Sequence, residues 1–232
     1  MEIKVLASSS KGNCYAISDG VSSVLIEAGI PFKQIQKALN FQVSTMDACI
    51  CSHQHFDHSK SIPDLIKAGI NCHMLQDTAD ALGVSGHRVK VIVPLKLFIV
   101  NSMEILPFPT QHDVPSVGFL IHSRESGDKL VFITDSYYCK YLFKGLTRIM
   151  IECNYADDIL RANIEKGSIN PALARRLMRS HFSLSNVKEF LRVNDLSKVD
   201  SIHLMHLSEG NSDEARFKRE IQQLTGKLVI TC

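Results

Sequence analysis

Residues 48–58 read Ala48-Cys49-Ile50-Cys51-Ser52-His53-Gln54-His55-Phe56-Asp57-His58. A brief buried strand, Ala48–Cys51, runs straight into three histidines and an aspartate held within six residues. A divalent metal needs neutral imidazole or carboxylate ligands converging from a rigid base, and a strand end supplies one. In an extended segment His53 and His55 project to one side, because side chains alternate. If the chain then turns helical, Asp57 and His58 swing to a displaced point. Four ligands divided this way suit two ions better than one, and two-metal hydrolases set their ions roughly 3.5–4 Å apart to clamp an attacking and a leaving oxygen. The competing reading, a solvated polar loop, requires three of the chain's 10 histidines to fall together with an interleaved aspartate by chance.

Upstream, the pattern is of short strands: Ile3–Ala7, then Cys14–Ser18 and Val24–Ala28 as a hairpin around Asp19-Gly20. Pro31 opens a helix with apolar positions at Phe32, Ile35 and Leu39. Downstream, Ile62–Lys67 and Thr78–Leu82 read as helices and Cys72–Met74 as a strand. A β-rich run follows: Val89–Val93, Leu97–Val100, Met103–Pro107, Ser116–His122 and Leu130–Thr134. The last third is helix-rich, with Asp157–Glu165, Pro171–Arg179 and Ser185–Val193. Strand Ser201–Met205, a helix from about Ser212 to Leu224 and strand Lys227–Ile230 close the chain. Asn170-Pro171 and Ser212-Asp213-Glu214 are helix starts. The layer pattern is α/β, and with no repeat or linker one domain over 1–232 is expected.

The 232 residues carry 45% hydrophobic and 22% charged side chains, which is the profile of a globular protein. No apolar run reaches the length of a membrane span, and no signal peptide is evident, so a cytoplasmic protein without membrane contact is expected. A net charge of +2 is too small to argue nucleic-acid binding from the global field. Seven cysteines (14, 49, 51, 72, 139, 153, 232) contain no Cys-x-x-Cys pair and read as reduced core residues.

His-x-His-x-Asp-His after a strand resembles the signature of the metallo-β-lactamase fold superfamily, and the order of later motifs resembles it too. The resemblance implies an αββα sandwich, with two mixed sheets and helices on the outer faces. It also supplies further ligands at strand ends: His112 in Pro109-Thr110-Gln111-His112-Asp113, Asp135 after Val131-Phe132-Ile133-Thr134, and His206 after Ile202-His203-Leu204-Met205. It implies His53, His55 and His112 on one metal, Asp57, His58 and His206 on the other, and Asp135 bridging both. The ions would be Zn²⁺ or Mn²⁺. One departure lies in Leu25-Ile26-Glu27-Ala28-Gly29, where Glu27 replaces the family's usual aspartate and is expected to support the ligands from behind.

Of the other histidines, His73, His87 and His122 stand alone, and His203 points to the face opposite His206. His181 follows Arg175, Arg176 and Arg179. It is either a capping residue behind a solvated basic helix or a group that binds phosphate or protonates a leaving oxygen. Ser9, Lys11 and Asn13 are open to two readings, the rim of a cleft or a structural turn.

Val5–Asn13, Ile151-Glu152-Cys153-Asn154-Tyr155, the His-Phe-Ser at His181 and His206–Asn211 together look like the YycJ (WalJ) branch, related to RNase Z and to cyclic-nucleotide phosphodiesterases. That resemblance implies a metal-dependent phosphodiesterase using a hydroxide shared by two ions, with Asp57 and His181 as catalytic residues. The expected substrate is nucleic acid, DNA or single-stranded, with cyclic-nucleotide defence signals and a thioester as alternatives. A homodimer is the assembly that relatives suggest. The stretch between Asp135 and His206 is too short for the inserted β-CASP domain of RNase J-type nucleases.

Overall fold

The computed structural model describes residues 1–232, and its contacts divide the chain into two compact units. The first comprises Met1–Pro109 with Val114–Asp128, and the second Thr110–Asp113 with Lys129–Cys232.

The first unit runs β1 (Glu2–Ser9), β2 (Gly12–Ser18), β3 (Ser23–Ile26), α1 (Phe32–Ala38), β4 (Ala48–Ile50), α2 (Phe56–Ser59), α3 (Ile62–Lys67), β5 (Asn71–Met74), α4 (Gln76–Leu82), β6 (Val89–Val91), β7 (Phe98–Val100), β8 (Met103–Pro109) and β9 (Val117–Ser123). Strands β1 to β6 form one mixed sheet in sequence order. The β1-β2 and β2-β3 pairs are antiparallel, and β3 through β6 are parallel. Val24, Leu25, Ile26, Ala48, Cys49 and Ile50 are completely buried, as parallel strands covered on both faces must be. Strands β7, β8 and β9 form an antiparallel meander.

Asp19 makes the β2-β3 turn, as its position between two strand patterns predicts. Its Oδ1 accepts from the backbone N–H of Val21 and Ser22 at 3.0 and 2.7 Å. The expected strand Val24–Ala28 stops at Ile26, because Glu27 takes a left-handed φ of 64° that ends the ladder.

The second unit contains β10 (Lys129–Ile133), β11 (Arg148–Glu152), α5 (Asp157–Glu165), α6 (Pro171–Ser180), α7 (Leu184–Val193), β12 (Ser201–Met205), α8 (Glu214–Thr225) and β13 (Leu228–Thr231). Its strands are parallel in the order β13-β12-β11-β10. Phe132, Ile133, Ile149, Ile151, Ile202, Leu204 and Val229 are fully buried. Both expected caps are present: the Asn170 side chain accepts from Ala172 N and the Asp213 side chain from Arg216 N. Strand β11 is an element the sequence pattern does not announce. Its apolar run, Ile149-Met150-Ile151, is three residues long between charged ends, too short to separate from loop by periodicity.

All seven cysteines are free, five of them buried. No helix is long and apolar enough to cross a membrane.

Candidate metal centre

In the first unit the donors grow from β4. The chain leaves the sheet at Cys51, whose N–H donates to His73 O at 2.9 Å and whose thiol lies 3.2 Å from His53 O. The expected helical turn is α2, capped by His55 and tied by Ser59 Oγ to the carbonyls of Gln54 and His55 at 2.9 and 3.0 Å. It brings the three rings together: His53 lies 4.7 Å from His55 and 4.4 Å from His58, centroid to centroid. His53 and His58 are fully buried. Asp57 Oδ2 lies 3.3 Å from His58 Nε2.

The segment Glu27-Ala28-Gly29 cradles this turn. Glu27 is fully buried. Its carboxylate accepts from Ser52 N at 3.2 Å and lies 3.7 Å from His58 Nδ1. Ser52 Oγ lies 2.8 Å from His53 Nδ1. Such contacts fix the orientation of an imidazole and direct its other nitrogen elsewhere. Ala28 N donates to His58 O at 2.7 Å. Ser9, Lys11 and Asn13 lie at the β1-β2 turn. Lys11 N donates to Ser9 Oγ, while buried Asn13 spans Ser9 O at 3.0 Å, Asp57 O at 3.3 Å and His58 Nε2 at 3.2 Å.

In the second unit Asp135 follows β10, Glu152 ends β11 and His206 follows β12. Asp135 and His206 have φ of 45° and 54°. Left-handed backbone costs a non-glycine residue about 1–2 kcal/mol, so packing enforces the turn that aims each side chain off its strand. Asp135, Glu152, His181 and His206 each place a ligand atom within 4.8 Å of the others. His206 Nδ1 is 3.0 Å from Asp135 Oδ1 and 3.0 Å from Glu152 Oε1. His181 caps the C-terminus of α6, with its Nδ1 2.6 Å from Glu152 Oε1. His112 sits with Nδ1 3.1 Å from Ser180 O and Nε2 3.6 Å from Asp135 Oδ2.

Glu152 is the residue sequence reasoning missed. It is completely buried and also accepts from Ser136 N and Phe182 N at 3.3 and 3.2 Å. The only sequence signal is its place between an apolar triplet and Cys153-Asn154-Tyr155. Burial opposes its charge, and the His181 imidazole overcomes that, leaving its carboxyl below the usual range. Burial likewise disfavours the imidazolium of His181, but Glu152 outweighs it and raises that pKa. For His206 burial is again opposed, by Asp135 and Glu152, and the pKa rises to about 10.

The remaining histidines lie elsewhere. His73 stacks on Phe98 at 4.7 Å, His122 Nδ1 is 3.1 Å from Glu104, and His203 Nε2 is 3.2 Å from Ser201 Oγ.

The donor chemistry fits divalent ions. Imidazoles and carboxylates form a borderline nitrogen and oxygen set. The buried acids Asp135 and Glu152 put negative charge where a cation would neutralise it.

A family model described as a beta-lactamase superfamily domain matches residues 22–206. Exodeoxyribonuclease WalJ of Streptococcus pneumoniae serotype 2 (strain D39) is 26% identical, covering 90% of this chain and 82% of that protein. Among solved structures, the metallo-beta-lactamase fold protein YhfI from Bacillus subtilis superposes with a TM-score of 0.77 at 15% identity, covering 99% and 95% of the two chains. The short form of human tRNase Z gives 0.63 at 13% identity, covering 90% and 93%. The chain therefore belongs to the beta-lactamase superfamily and is a metal-dependent hydrolase of the metallo-β-lactamase fold.

Proposed function

We propose that this hydrolase is a dinuclear phosphodiesterase acting on nucleic acid, with both units working as one catalytic domain. His53, His55 and His112 would hold one ion, Asp57, His58 and His206 the other, with Asp135 shared between them. The ions, Zn²⁺ or Mn²⁺, would supply an activated water at neutral pH and charge stabilisation at phosphorus.

The observation that carries the reading is the His181–Glu152 pair, 2.6 Å apart, with His181 Nδ1 4.0 Å from Asp135 Oδ2. A buried carboxylate behind an imidazole keeps it protonated and oriented. That is what a poor alkoxide leaving group needs from a general acid, whereas a thiolate departs without one. His181 would donate this proton, and Asp57 would orient the nucleophile. The similarity to an exodeoxyribonuclease over most of the chain supports nucleic acid as the substrate class.

The test is turnover by the Mn²⁺- or Zn²⁺-loaded protein of bis-p-nitrophenyl phosphate, single-stranded DNA, cyclic mononucleotides and a thioester, side by side. Hydrolysis of the phosphodiesters is expected. Turnover of the thioester alone would end the phosphodiesterase reading.

A further inference from the structure

The short segment Gln111-His112-Asp113 is anchored from two places within the second unit. Gln111 N donates to Ser136 Oγ at 2.9 Å, and Tyr137 N donates to Gln111 O at 3.3 Å. Arg176 on α6 pairs with Asp113 at 2.8 Å, and Ser180 O at the end of α6 meets His112. The loop after Asp135 and helix α6 therefore both adjoin His112.

The two carry complementary chemistry. Helix α6 is attached mainly through buried Ala174 and partly buried Leu177, packed with Tyr155 and Leu160. Apart from buried Ser180, its other residues are exposed and include three arginines and no acid, with Arg175 and Arg179 one turn apart. Arg176 is engaged by Asp113, whereas Arg175 and Arg179 face solvent. The loop Ser136-Tyr137-Tyr138-Cys139-Lys140-Tyr141 interleaves aromatics with a cation. Tyr137 is 39% and Tyr138 47% exposed. The loop's backbone is nonetheless tied down, by Asn186 Nδ2 to Tyr137 O at 2.8 Å and by Ser136 Oγ to Tyr138 O at 2.8 Å. Fixed, exposed tyrosines lose little entropy when a base stacks on them, and every base has a face to offer.

We propose that these features form a track for single-stranded nucleic acid, with Arg175 and Arg179 holding backbone phosphates and Tyr137 and Tyr138 stacking unpaired bases. The proposal rests on the nucleic-acid reading of the site and names how the strand reaches it. A duplex keeps its bases stacked internally and leaves the tyrosines unused, so single strands are the preferred form.

The test measures binding, so it does not depend on turnover. Fluorescence anisotropy of a cleavage-resistant phosphorothioate dT oligonucleotide is followed across salt concentrations, with metal-loaded wild type, R175E/R179E, Tyr138→Ala and the charge-matched control R192E/K218E. The arginine double variant is expected to lose affinity by about tenfold or more and to flatten the salt dependence by about 1.4 in log-log slope, at ~0.7 per lost single-strand contact. Tyr138→Ala is expected to lose roughly fivefold or more, with the slope retained. The control is expected to bind like wild type. Equal losses in the control and R175E/R179E would show that net charge alone acts and overturn the track. Wild-type affinity in both track variants, or wild-type preference for a duplex of equal length, would overturn it too. Bis-p-nitrophenyl phosphate turnover is read separately: its absence sinks the phosphodiesterase reading whatever the oligonucleotide does.

Discussion

Gly29 lies directly beneath the Asp57–His58 peptide: a Cβ placed on Gly29 would sit 1.6 Å from the Asp57 carbonyl oxygen and 2.8 Å from His58 N. The obstacle is backbone, which cannot rotate aside as a side chain can. Two hydrogen bonds fix the approach, Gly29 N to Asn13 O at 2.8 Å and Ser61 N to Ala28 O at 2.8 Å. Gly29→Ala is therefore expected to cost about 3 kcal/mol or more and to displace the Asp57–His58 turn. Thermal unfolding and metal content per chain measure this. A variant with wild-type Tm and full metal loading would show that the turn is not wedged on Gly29.

Glu152 faces His181 and His206 from the end of β11, so its variants separate charge from shape. Glu152→Gln keeps the volume but removes the charge that sustains the imidazolium of His181. Supporting residues of this kind typically alter activity or metal affinity by roughly 10–100-fold, and a drop of that size in kcat is expected on bis-p-nitrophenyl phosphate. Because the folded pKa of His181 is raised, its protonated form persists to higher pH in wild type. The alkaline limb of the rate profile should consequently move to lower pH in Glu152→Gln. An unshifted limb with unchanged kcat would remove Glu152 from the mechanism.

These two residues also mark where the sequence is legible. The His53–His58 cluster could be read because its candidate donors lie within six residues of one another and their spacing reports directly on geometry. His112, Asp135 and His206 were legible only through resemblance, since each is a lone polar residue after an apolar run. Glu152 was hidden, because its strand has an apolar run of only three residues and its surroundings appear only when parallel pairing sets β11 beside β10 and β12. Gly29 was visible as a residue, but its purpose depends on a peptide 28 positions away, a closeness no local pattern encodes. The left-handed backbone at Glu27, Asp135 and His206 was equally silent, because Glu does not favour it and the preference of Asp and His is far weaker than that of glycine.

Asp19 ties the β2-β3 turn to the meander. Beyond the two turn amides, its Oδ2 accepts from Ser102 Oγ and Ser123 Oγ, both at 2.6 Å. Asp19→Ala strands four donors, and a loss of roughly 2–3 kcal/mol is expected. Burial opposes the charge, and the four hydrogen bonds together outweigh it, lowering the pKa from 3.8 to about 2. The folded pKa lies below the unfolded one, so the unfolded chain takes up the proton first as pH falls. Asp19 thus contributes fully above about pH 4, and the contribution disappears as pH drops through about 2. Denaturant titrations at pH 7 and pH 2.5 check this: the gap between wild type and Asp19→Ala should narrow in acid. A constant gap would show that the carboxylate's charge is immaterial.

His73 and His203 set the acid behaviour at milder pH. Burial pushes both imidazoles down to about 4 from 6.5, helped by Lys90 in the first case and Arg148 in the second. Here too the folded pKa lies below the unfolded one, so between these values the unfolded chain binds more protons. Stability is therefore complete above pH 6.5 and falls as pH is lowered toward 4. The pairing of His73 with Phe98 at an interplanar angle of 12° allows a substitution that keeps the stack, His73→Phe. His203, between Ser201 Oγ and Cys232 Sγ, accepts His203→Gln with a polar atom retained. Each single variant should show a shallower decline of Tm from pH 7 to 4 than wild type. The double variant should be shallower still, because the two sites share no partner and their effects add. Parallel Tm profiles for wild type and the double variant would mean that neither imidazole's proton affinity differs between the folded and the unfolded chain.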